Sequence, residues 1–523
     1  MTLLRSNLTQ KLAGGISCVT SAIVKLFFGH RGHDMSKAGV HVRLVGGDTM
    51  HIMASLGIVI ADEAALHMMY MCKGSGGLKP CMLCANIFND SNERDVLKHD
   101  HTGLAQSHTC PDFNKIVLHT NATVRETIRR LEEGARHLTK GAFEELERRL
   151  GWNYTPGSLV LEPRILDICD PVRVVLYDWM HVFFVNGVFN AHVGLLMRRL
   201  KPHGITYDML KQYTEPWKAP KQFTDANEVL STKRAQSSWK AEVLKASASE
   251  SLSLMPVFAC FFHVLSTTSS VAEVLDHSRC FLGLIDVIET IMKSARVPVD
   301  CDALQRSIGA YLGAFAALYG PDEMTPKFHY VIHFPSFIRR WQILPNCFVL
   351  ERKHKFPKRY ANALLNTAAD WEKSILKEVT NVQLASLADT VAFDDGAALL
   401  APHIASKKLN RVLQHEFNVE PNVVFMTSTA ARINEWDKCS LGDVVSLHDG
   451  RVGRVALHGA YQHNGEWVCF SSLWMWEHVA EHGRYMTWRP SNTPLICLIS
   501  EIKCAVVWAE ANDMRRTLKP LYS

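Results

Sequence analysis

The chain of 523 residues lacks any uninterrupted apolar run near the roughly 20 residues that cross a bilayer. The apolar stretch at 258–265 is far too short, so a membrane partner is not expected. An excess of one charge is missing too. The 57 Lys and Arg against 52 Asp and Glu leave only +5, too little to argue for nucleic-acid binding from net charge alone. The 14 cysteines form no compact framework, and the opening MTLLRSNLTQ lacks the apolar centre of a secretory signal. Both features point to a soluble protein in a reducing compartment rather than a disulfide scaffold. No repeat of fixed period is present, which excludes solenoids and propellers. With 47% hydrophobic and 21% charged residues, the composition is that of a folded globular chain, long enough for three or four domains of about 150 residues.

Charge and chemistry are concentrated locally. Residues 327–360 carry Lys327, Arg339, Arg340, Arg352, Lys353, Lys355, Lys358 and Arg359 around a single acid, Glu351, for a net +7. Such a patch suits a polyanion, because Lys and Arg contacts to phosphate dominate nucleic-acid affinity; a solvated basic helix face reads the same way. Cys81-Met-Leu-Cys84 follows Asp62 by 19 residues, and His329-Tyr-Val-Ile-His333 precedes Glu351 by 18. A Cys-x-x-Cys turn holds two corners of a tetrahedral zinc, although the same spacing serves redox pairs. Histidines at i and i+4 share a helix face and can aim at one ion. Their apolar neighbours Phe328, Tyr330, Val331, Ile332 and Phe334 equally suit two core histidines. If the halves meet, each brings two soft ligands and one carboxylate to a common centre.

Along the chain, VTSAIVKLFF predicts a helix entered through Gly14 and Gly15, with a strand to follow. The run at 56–61 predicts a buried strand that delivers Asp62 at its carboxyl end, with Glu63 beside it. A short helix and the breaker Gly74-Ser-Gly-Gly77 lead to the cysteines. Residues 124–150, 172–200 and 252–292 read as helices, so this block is expected to be all-helical rather than a sheet. A further helix is expected over 359–379, then a connector over 392–410. Beyond it, short apolar runs separated by Asp449-Gly450 and Asn464-Gly465 predict antiparallel hairpins and a small barrel or sandwich.

The segments LGIVIADEAALHMMYMCKGSGGLKPCMLC, YDWMHVFFVNGVFN, MTPKFHYVIHFPSFIRRW and FVLERKHKFPKRYAN, in this order, resemble CACTA-type (En/Spm) DDE transposases and, more distantly, the catalytic core of the V(D)J recombinase. The resemblance covers about residues 10–380. It implies an α/β RNase H-like fold, partial because its first strands are missing, interrupted by a large all-α insertion. The expected division is 1–120 and 311–385 for the RNase H-like core, 121–310 for the insertion, 386–420 for a linker and 421–523 for a small all-β domain resembling SH3 or BAH barrels. Position by position, Asp62 and Glu351 resemble the second and third catalytic carboxylates, holding Mg²⁺ for DNA strand cleavage and transfer. Cys81, Cys84, His329 and His333 resemble the ligands of a structural Zn²⁺ that pins the two ends of the insertion. Asp178 and His181 resemble the family's Asp-x-x-His motif near the active site, with Arg352, Lys353, Lys355, Lys358 and Arg359 on DNA phosphates. Asp178 and His181 also fit a helix-start cap and a core histidine.

One element of the family pattern is missing. Asp34 and Asp48 precede Asp62 by 28 and 14 residues, too few for three strands and a helix, so neither matches the family's first catalytic Asp. A truncated or decayed transposase, or an incomplete gene model, is therefore expected, and without its first acid the chain should bind the two metals poorly. The partners implied are DNA at transposon ends, a chromatin or peptide ligand for the β domain, and a second copy in a homo-oligomer, in a nuclear setting. Trp467, Trp474, Trp476 and Trp488 are available as aromatic walls for such a ligand, or as barrel core. A non-catalytic DNA- or chromatin-binding protein of transposase origin is the rival reading.

Overall fold

A computed structural model describes residues 15–29, 34–43, 47, 49–89, 103–347, 359–360, 371–388, 396–434 and 436–519. The chain divides into two compact units, Met1–Val188 with Asp286–His354, and Phe189–Ile285 with Lys355–Ser523.

In the first unit the expected opening helix runs over Gly15–Phe28, and the hairpin Val40–Arg43 and Thr49–Ile52 follows it. Val59–Ala61, with two β-branched residues, forms a short strand that is partly buried rather than buried as expected. Its partner is Val175–Tyr177, in parallel register with Ala61 opposite Tyr177. This second strand corrects the all-helical expectation for 172–200: three fully buried residues interrupt the helices there. Parallel strands need a crossover, which here includes the helices Asn121–His137 and Lys140–Leu150. The first of these starts at a Thr120–Thr123 capping box, and the second stops at Gly151, whose φ of 79° suits glycine. Each parallel strand ends in an aspartate that caps the next helix, Asp62 before Glu63–Tyr70 and Asp178 before Trp179–Phe184.

The second unit combines helices with a large curled antiparallel sheet. The helix Ala248–Thr268 begins at a Ser247–Glu250 capping box. Nearby, buried Asn190 donates to the carbonyl of Leu244 (3.0 Å) and to Ser251 Oγ (3.2 Å). Val444–Leu447, Val452–His463, Glu466–His482 and Tyr485–Leu498 form a meander within a ten-stranded sheet. The last three are long, and register shifts at 455–457, 474–476 and 478–480 mark bulges, which increase local twist. This sheet is larger than the small barrel expected. It also draws on the stretch expected as a linker over 386–420. There His403–Ile404 pairs with Met426–Ser428 in this sheet, Ala398–Leu400 pairs with Ala430–Arg432 in a separate three-stranded sheet, and Lys407–Glu416 is helical. Leu399, Ala405 and Leu413 are buried, so apolar burial makes this segment part of the fold. Of the helix expected over 359–379, the structure describes 359–360 and the start of Trp371–Ala388.

Among the described residues two helical stretches reach the length and mean hydropathy of a membrane span, Trp179–His203 and Ala248–Thr268. Their apolar windows are 78% and 50% buried inside the protein, a pattern that core helices share.

Candidate metal centre

The cysteine turn is pinned by its backbone. Ala85 N–H donates to Val117 O (2.8 Å) and His119 N–H to Leu83 O (2.8 Å), while Lys79 Nζ reaches Ala85 O (2.8 Å). The histidines come from a short helix, Pro326–Tyr330, continued by a 3₁₀ turn at Val331–His333 and a further helix, Phe334–Trp341. Pro326 and Pro335 both sit in first turns, where their missing N–H costs nothing.

These elements bring the two half-sites together. Cys81 Sγ lies 3.3 Å from His333 Nε2, and Cys84 Sγ lies 3.3 Å from His329 Nε2 and 3.6 Å from His333 Nε2. The four ligand atoms all fall within 4.8 Å of one another, on residues that are all buried. Zinc bonds of about 2.3 Å to sulfur and 2.0–2.1 Å to nitrogen, opened to the tetrahedral angle, set S···N separations of roughly 3.5 Å. The donor set therefore fits Zn²⁺. Four protein ligands leave no open position, which is the arrangement of a structural rather than a catalytic zinc.

Electrostatics agree with this donor set. Burial pushes the Cys81 thiol up, but a hydrogen bond from Cys84 and the charge of His333 pull it well below its ordinary value. Burial and the neighbouring Cys81 hold Cys84 up, and burial holds His329 down as a neutral imidazole. Among the described residues the buried His329 Nδ1 has no hydrogen-bond partner. Tyr177, from the second parallel strand, places its hydroxyl 3.5 Å from Cys81 Sγ and stacks on Tyr330 at 4.4 Å between ring centroids. Neither tyrosine carried a spacing signal. They couple the Cys/His cluster to the strand that ends in Asp178.

Around the strand ends, Asp62 caps its helix through one oxygen, which accepts from Ala65 N–H (2.6 Å). Glu63 accepts from the Tyr330 hydroxyl (3.1 Å). Lys327 donates to the carbonyls of Val185 (2.7 Å) and His181 (3.2 Å). Burial holds its ammonium below the ordinary range, and the charges of Glu63 and Asp62 pull it back up. Asp178 is buried and bound on both oxygens. One accepts from the backbone N–H of Cys347 (3.1 Å) and Met180 (3.3 Å), the other from His181 N–H (3.4 Å) and the His181 ring. Asp178, His181 and Cys347 form a second cluster of potential ligand atoms. Cys347 sits in no motif, and only the tertiary structure places it there.

Glu351, Arg352, Lys353, Lys355 and Lys358 lie outside the described residues, as does Asp48, whereas Arg359 is exposed. Asp34 is buried in a turn, where its carboxylate accepts from Ser36 Oγ (2.6 Å) and Arg164 (3.1 Å). In the β unit Trp476 and Trp488 are core residues, and Trp488 donates to Thr517 Oγ1 (2.8 Å). Trp467 and Trp474 are exposed. Comparison with protein-family models, curated proteins and solved structures returned no match.

Proposed function

We propose that this chain is the catalytic region of a DDE-type DNA transposase, built on an RNase H-like core that a structural zinc holds closed. The observation that carries this reading is the Cys81, Cys84, His329 and His333 cluster, gathered from ligands up to 252 residues apart beside parallel strands ending in Asp62 and Asp178. Carboxyl ends of parallel strands are where α/β proteins place their chemistry. Asp62 fits a hard cation, since it is a partly buried carboxylate with one oxygen engaged by its helix cap. In this reading Asp62 and Glu351 would hold Mg²⁺, which when bound would supply charge stabilisation to the attacking and leaving oxygens. Arg352, Lys353, Lys355, Lys358 and Arg359 would bind DNA phosphates.

A second reading, a non-catalytic DNA- or chromatin-binding protein on the same core, is favoured by Asp178. Both of its oxygens accept hydrogen bonds from N–H donors, so binding a cation there would mean giving some of those bonds up. The test is incubation of the full chain with Mg²⁺ and DNA carrying the repeats that flank its gene. The first reading expects only weak strand cleavage, because the first catalytic Asp of the family pattern has no match here, and Asp62→Asn and Glu351→Gln each abolish it. Cleavage unaffected by Glu351→Gln removes that residue from the mechanism, and tight DNA binding without cleavage selects the second reading.

A further inference from the structure

The curled sheet of the second unit contains an aromatic cleft of about 430 Å³, lined by Arg454, Trp474, Trp476, Pro490, Trp508 and Arg515 among others. Strand register explains its composition. Trp474 and Trp476 are two residues apart on one strand, with Arg454 and Pro490 opposite them on the strands to either side. The other wall is the hairpin of Trp508–Ala511 and Met514–Leu518, in which Glu510 faces Arg515. Trp476 and Trp508 are buried and form the floor, edge to face at 5.6 Å between centroids. Trp474 is 47% exposed, so an aromatic surface remains in contact with solvent at the rim. The cleft volume falls within the roughly 300–1,000 Å³ of small-ligand sites.

Charge decides what fits. An aromatic cage for a methylated lysine needs open ring faces and an unpaired acid. Here Trp508 already carries Lys218 Nζ at 4.5 Å and the Arg454 guanidinium at 5.9 Å from its ring centroid. Glu510, the acid of the lining, is paired with Lys218 Nζ at 3.0 Å. With Glu510 neutralised, Arg454 and Arg515 leave the cleft positive. A positive cleft with an exposed tryptophan suits a flat aromatic ring attached to an anion. We propose that this cleft binds single-stranded nucleic acid, with one base stacked on Trp474 and adjoining phosphates on Arg454 and Arg515. The site uses no residue of the metal centre and does not rest on the transposase reading.

The test uses the full chain and an oligothymidylate of about 15 nucleotides bearing one 5-iododeoxyuridine. Irradiation is expected to crosslink the peptide that contains Trp474, and crosslinks confined to other peptides overturn the proposal. By fluorescence anisotropy, Trp474→Ala is expected to weaken binding about tenfold, as losing one stacked base does, whereas Trp474→Phe retains most of it. Arg454→Ala and Arg515→Ala each reduce the salt dependence by about 0.7 in log–log slope. Trp467→Ala, at an exposed tryptophan outside the cleft lining, is the control and leaves affinity unchanged. Equal loss in Trp467→Ala and Trp474→Ala overturns the assignment. So does binding of a trimethyl-lysine peptide, but not the oligonucleotide, that depends on Trp474.

Discussion

At the scale of single residues, the metal ligands and one buried histidine make the sharpest claims. Removing one ligand of a closed zinc site leaves three and an uncompensated buried donor. Cys81→Ser and His333→Ala are each expected to lower bound zinc from about one ion per chain to well below it, read by atomic absorption on purified protein. Folded wild-type protein free of zinc would remove the metal centre. His458 makes a different prediction. Its ring lies in the β core, with Nδ1 2.8 Å from Ser471 Oγ, and burial depresses its pKa to about 4. The unfolded chain takes up this proton near pH 6.5 and the folded chain only near 4, so stability falls as pH drops through that window. The loss reaches about 3 kcal/mol at most. His458→Gln should flatten the pH dependence of urea unfolding between these values, and an unchanged slope would assign it to other groups.

At the scale of elements, legibility followed how local the determining interactions were. Asn464-Gly465 was readable as a hairpin turn, and both residues have positive φ, 53° and 86°, as a type I′ turn requires. Gly465→Ala is accordingly expected to cost about 1 kcal/mol in chemical denaturation, because a Cβ disfavours that backbone region. A cost near zero would show that the turn relaxes to another type. The strand Val59–Ala61 was also legible, from an apolar run ending in acids. Its partner Val175–Tyr177 was not. Three residues next to helical segments have no periodicity of their own, and they are extended because a distant parallel strand supplies their hydrogen bonds. The segment 398–416 misled for a related reason. Its turn-like composition concealed Leu399, Ala405 and Leu413, whose burial is supplied by strands that come later in the chain.

At the scale of the whole molecule, an ion held by the Cys81, Cys84, His329 and His333 cluster would be a long-range clamp. It would join Cys84 to His329 across 245 residues, and closing a loop of that length removes roughly 5 kcal/mol of unfolded-state entropy. Chelation is therefore expected to lower the thermal midpoint of unfolding markedly, with recovery when zinc is restored. A midpoint indifferent to chelator would mean that packing around Tyr177 and Tyr330 suffices without the ion. The sequence by itself determined the ligand types, their pairing within each half, the acid ending the first strand and the turns of the β unit, because each depends on spacing over a few residues. Only the tertiary structure decided that the halves meet, that Asp178 is hydrogen-bonded on both oxygens by backbone N–H groups and the His181 ring, and that Trp474 is exposed while Trp476 is buried. Those outcomes depend on contacts between residues far apart in the chain, and no local pattern of side chains encodes which distant surface will cover them.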